Sequence, residues 1–75
     1  MEINDFIRIF ADQFDDTDFE EFKPETEYQN LDEWGSLTIL AVIACVRTNF
    51  GKKITAADLR SCNTIEELFN LVSQR

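Results

Sequence analysis

Ile3, Phe6, Ile7, Phe10 and Phe14 recur at the i, i+3, i+4, i+7 spacing of one helical face, while Glu2, Asp5, Arg8 and Asp12 fall elsewhere on the turn. The spacing predicts a first helix over 2–14 with its phenylalanines in the core. A second apolar run predicts a helix from Ser36 to Phe50, with Ile39, Val42, Ile43, Val46 and Phe50 on one face. Gly51, able to take a positive φ, followed by Lys52 and Lys53, is a C-terminal stop for that helix. Ile54 should then tuck inward. Thr55-Ala56-Ala57-Asp58 predicts a capped short helix that does not extend far past Ser61. Thr64-Ile65-Glu66-Glu67 is a capping box opening a last helix in which Ile65, Leu68, Phe69 and Val72 share a face.

From Asp15 to Gly35 the periodicity lapses into acids, Thr17, Pro24 and spaced aromatics (Phe19, Phe22, Tyr28, Trp34). A structureless connection of that length is uncommon in a compact domain, and the aromatics with Leu31 favour a loop packed by its own side chains. The expected fold is all-α: one domain over 1–75, a small four-helix bundle with three longer helices, one short third helix and a long first loop.

Charge divides the chain unevenly. Residues 1–35 carry twelve acids against Arg8 and Lys23, and residues 36–75 carry three acids against five cations, so a net −8 splits into −10 and +2. Ser36 sits on the seam. The acidic balance argues against nucleic acid, which needs clustered Lys and Arg. There is no histidine, so neither a catalytic imidazole nor a histidine-ligated metal is available, and Cys45 and Cys62 match no zinc or redox spacing. Cys45 reads as a small buried hydrophobe and Cys62 as a turn residue. Met1-Glu2-Ile3-Asn4-Asp5 does not read as a signal peptide, and the apolar stretch near 37–46 is too short to span a bilayer. The expectation is a cytoplasmic monomer with reduced thiols and no membrane insertion.

A serine at a helix start commonly caps orphan N–H groups. It is also a hydroxyl to which something can be attached. The run Trp34-Gly35-Ser36-Leu37, the long acidic loop before it, Phe50-Gly51 closing the second helix, Ile54 after the turn and Thr64-Ile65 opening the last helix together resemble the acyl carrier protein family and its peptidyl carrier relatives. The resemblance covers nearly the whole chain. It implies a 4′-phosphopantetheine arm, taken from coenzyme A and attached covalently to Ser36, with Trp34, Gly35 and Leu37 beside it at the attachment site. A phosphodiester there would lie against a helix N-terminus, where N–H groups and the macrodipole favour an anion. Gly35, lacking a side chain, would let the phosphate or a modifying enzyme approach the backbone.

The implied partners are a phosphopantetheinyl transferase and acyl-loading and chain-elongating enzymes, in fatty-acid, polyketide or other lipid or secondary metabolism. Two departures from the family pattern stand out. Gly35 replaces the usual aspartate before the serine, and Asp32 and Glu33 are near enough to supply negative charge instead. The second helix is nearly uncharged outside, with Leu37, Leu40, Ala41 and Ala44 as candidate partner contacts, which predicts docking by apolar contact more than by charge steering.

Two other readings compete. Asp16, Asp18, Glu20 and Glu27 fall at positions 1, 3, 5 and 12 of a calcium-loop spacing, but Glu21 stands where that loop needs glycine, and Lys23 and Pro24 occupy its eighth and ninth positions. The chain could instead be a small acidic helical interaction adaptor in which Ser36 is only a helix cap. An enzyme in its own right is disfavoured, since no acid, base and nucleophile constellation can be assembled.

Overall fold

The computed structural model describes residues 2–75. Among the described residues four α-helices pack around one apolar core: α1 (Ile3–Ala11), α2 (Ser36–Phe50), α3 (Ala56–Ser61) and α4 (Ile65–Ser73). The all-α bundle expected from the pattern is therefore the fold, with α3 the short helix. α2 spans the expected Ser36–Phe50, and Gly51 closes it at φ 67°, donating its N–H to the Arg47 carbonyl at 3.0 Å.

Helix α1 is shorter than the expected 2–14. After Ala11 the chain tightens into i→i+3 bonds, Gln13 N–H to the Phe10 carbonyl and Phe14 N–H to that of Ala11, and the Gln13 amide caps the Ile9 carbonyl at 3.1 Å. This tightened turn still buries Phe14, so the apolar periodicity outlives the helix.

Both predicted caps are present. Thr55 Oγ1 accepts from the Asp58 N–H while the Asp58 carboxylate accepts from the Thr55 N–H, and Thr64 and Glu67 repeat the exchange at α4. Arg75 clamps Asp58 with two hydrogen bonds, at 2.8 and 3.1 Å, which hold the Asp58 carboxyl below its usual range.

The long connection is ordered by one-turn 3-10 helices at Phe19–Glu21 and Tyr28–Asn30. Phe22 and Tyr28 are buried and Leu31 and Trp34 pack on the core, whereas Phe19 is 58% exposed. Phe10 is the hub of the aromatic packing, with ring centroids of Phe6, Phe14, Phe22, Tyr28 and Trp34 all within 6.5 Å. The connection also finishes two helices. The Pro24 and Thr26 carbonyls accept the Glu66 and Ile65 N–H groups that α4 leaves open at its start, at 2.9 and 3.1 Å. At the other end of α3, the Tyr28 hydroxyl donates to the Leu59 and Cys62 carbonyls at 2.5 and 3.0 Å, and the Gln29 amide donates to Cys62 at 2.7 Å. Cys62, expected in a turn, follows the last residue of α3 and is buried.

Candidate functional site

Gly35, not Ser36, is the N-cap of α2. Ser36 is the first helical residue and is exposed, and its hydroxyl makes no hydrogen bond among the described residues. The capping role open to a serine at this place in the sequence is thus not the one it performs. The first backbone bond into the cap comes from the Ile39 N–H to the Gly35 carbonyl at 2.9 Å. The N–H groups of Ser36, Leu37 and Thr38 precede it, so the helix start presents open donors and the positive end of its dipole beside a free hydroxyl.

The turn before Ser36 is fixed by its neighbours. Thr38 Oγ1 reaches back to donate to the Glu33 carbonyl at 2.6 Å. The Glu33 carboxylate accepts the Asp15 N–H at 2.8 Å, the Asp16 N–H at 3.0 Å and the Thr17 hydroxyl, tying the first part of the long connection to the helix entrance. Glu33 is therefore occupied inside the chain, and of the two acids singled out as recognition charges, Asp32 is the exposed one with no side-chain hydrogen bond among the described residues. Trp34 turns inward, 4.9 Å from the Tyr28 ring and stacked at 6.4 Å on Phe14, so it braces this turn from the core side.

The Thr17 hydroxyl is the largest influence holding the Glu33 carboxyl below its ordinary value; partial burial opposes it and the Asp15 and Asp16 N–H groups reinforce it. A lowered native value means that the native state takes up this proton at lower pH than the unfolded chain. The latch's contribution is complete above the ordinary glutamate value of 4.5 and is lost as pH falls through the native one. Glu33→Gln should lower the urea midpoint at neutral pH and make its fall between about pH 5 and pH 3 shallower than in the parent. Parallel midpoint curves for the two proteins would rule the latch out.

Outward from Ser36, Leu37 is 84% and Leu40 63% exposed; Ala44 is exposed and Ala41 half-buried. These four form an uncharged apolar strip along α2, leaving Val42, Cys45 and Val46 to the core. An open groove of about 550 Å³ lies beside the serine, lined by Gln13, Asp15, Glu33, Gly35, Ser36, Leu37, Thr38 and Ala41.

No protein-family model, curated protein or solved structure matches this chain.

Gly35 is required neither by its conformation nor by crowding. Its backbone is extended, at φ −177°, and a Cβ built on it meets no atom within 4 Å. An aspartate fits there and would accept the open N–H groups of the first turn. Gly35→Asp should raise stability by about 0.5–1 kcal/mol in urea titration, through the cap and the smaller unfolded-state entropy. A lower midpoint would show that the turn cannot host it.

One group that could carry chemistry is quiet. Burial, with Asp12 nearby, pushes the Cys45 thiol up to about 11, away from a reactive thiolate. Among the described residues no group of three or more metal-ligating side chains clusters, and no helix is long and apolar enough to cross a membrane. Sequence reasoning passed over Gln13, Asp15 and Thr38. Gln13 and Asp15 belong to the site only because the chain leaves α1 by a tightened turn, which no periodicity signals; Thr38 had a weak signal, a hydroxyl in the first turn of an apolar helix.

Proposed function

We propose that the protein is a carrier domain in which Ser36 takes a 4′-phosphopantetheine arm from coenzyme A. The observation that supports this reading best is an exposed serine hydroxyl, free of capping duty, on the first turn of α2 beside an open groove. These residues fit the group. Ser36 Oγ forms the phosphodiester as the nucleotide half of coenzyme A leaves, with the hydroxyl proton passing to a base of the modifying transferase. The open N–H groups of Ser36, Leu37 and Thr38 stabilise the negative charge that arrives there. When bound, the group supplies a terminal thiol that holds an acyl chain as a thioester. The chain itself contributes attachment, orientation and docking rather than catalysis.

Leu37, Leu40, Ala41 and Ala44 offer partner enzymes an apolar strip beginning one residue after the attachment point. Asp32 offers a free carboxylate three residues before Gly35, for a basic transferase. The partners fitting this surface are the transferase and enzymes that load or elongate the acyl group, and the cargo belongs to fatty-acid, polyketide or related synthesis.

The test is intact mass after incubation with coenzyme A and a broad-specificity transferase. The wild-type protein should gain one arm and Ser36→Ala none, with Gly35→Asp modified faster and Asp32→Asn more slowly than the parent. No gain in wild type, or a gain that persists in Ser36→Ala, would overturn the proposal.

A further inference from the structure

The groove beside Ser36 is lined from two elements, by Gln13 and Asp15 of the turn after α1 and by Leu37 and Ala41 of α2. Its volume of about 550 Å³ lies within the range of small-molecule sites, so an extended organic chain fits it. The two walls differ chemically. The Gln13 amide nitrogen is committed to the Ile9 carbonyl, which leaves its Oε1 as an acceptor. The Asp15 carboxylate makes no hydrogen bond among the described residues, its backbone N–H being the group that Glu33 holds. One wall thus supplies acceptors and the other apolar carbon.

We infer that this groove is the resting seat of the arm carried by Ser36, with Gln13 and Asp15 as its positioning residues; the inference rests on the carrier reading above. Pantetheine matches both walls, since its two amide N–H groups and its hydroxyl are donors and its geminal methyl pair is apolar. Ser36 itself lines the groove, so a group attached there is held at millimolar-scale effective concentration beside these walls. Weak contacts then suffice to keep it in place. The seat lies on the α1 side of α2, and Gln13 and Asp15 are not part of α3.

The test is NMR on isotope-labelled protein whose loading has first been verified by intact mass. In the loaded wild type, nuclear Overhauser contacts are expected from the geminal methyls of the arm to Ala41 and to the Gln13 side chain, with the amide shifts of Ala56–Ser61 unmoved. Gln13→Ala should still load fully and lose the contacts to Ala41. If wild type loads but its contacts run to α3, or to no protein proton, the carrier reading stands and the seat is overturned. Contacts to Ala41 that persist unchanged in Gln13→Ala overturn the role of Gln13. If wild type never loads, the carrier reading falls and this inference falls with it.

Discussion

Phe10→Ala should remove a large share of the protein's stability and shift its urea midpoint far down. The ring is 1% exposed and packs against five other aromatic side chains, three of them, Phe22, Tyr28 and Trp34, in the long connection. Truncating such a side chain costs about 3–5 kcal/mol through lost burial and the cavity left behind. A chain of this length has roughly 4–11 kcal/mol in all, so the loss takes a large share of it. Phe19→Ala is the matched control: Phe19 is 58% exposed, and its removal should change stability by no more than about 0.5 kcal/mol. Urea titration followed by circular dichroism separates the two. Similar midpoint shifts for both variants would mean that the aromatic hub does not carry the core.

Tyr28→Phe should cost about 1–3 kcal/mol although the ring stays. The hydroxyl is fully buried and serves two carbonyls at the end of α3, and burial, reinforced by Cys62 and Glu67, pushes the phenol well above its ordinary value. Phenylalanine fills the same space and leaves those carbonyls short of a donor away from water. Gln29 partly covers the Cys62 carbonyl at 2.7 Å, so Tyr28→Phe and Gln29→Ala together should cost more than the sum of the two. Strict additivity in that double-mutant cycle would show that the two side chains do not share the carbonyl.

The parts of this fold legible in the sequence are those whose causes are local. The apolar run from Ser36 and the glycine stop at Gly51 mark α2 and the helix appears between them; Thr55 with Asp58 and Thr64 with Glu67 are three residues apart and cap as that spacing dictates. α1 is over-read because Phe14 continues the apolar spacing after the backbone has tightened. The 3-10 turns of the long connection are too short to carry a period. Of the site, the place of Ser36 and the exposed strip of α2 follow from pattern, but the role of Glu33 does not. Its partners lie 16–18 residues away, and nothing local separates it from Asp32. Tyr28 did leave a signal, as the single tyrosine beside seven phenylalanines: a buried aromatic that keeps a hydroxyl needs somewhere to place it.

Helix α3 is held by groups remote in the chain, Arg75 at its start and Tyr28 and Gln29 at its end. Six residues do not sustain a helix alone, so α3 has no stability of its own to lose. Its amide protons should therefore exchange with solvent deuterium only when the connection that ends at Ser36 lets go. A short surface helix that would ordinarily fray first becomes a reporter of the connection, and a partner that braces the turn at Glu33 and Ser36 should slow exchange in α3 without touching it.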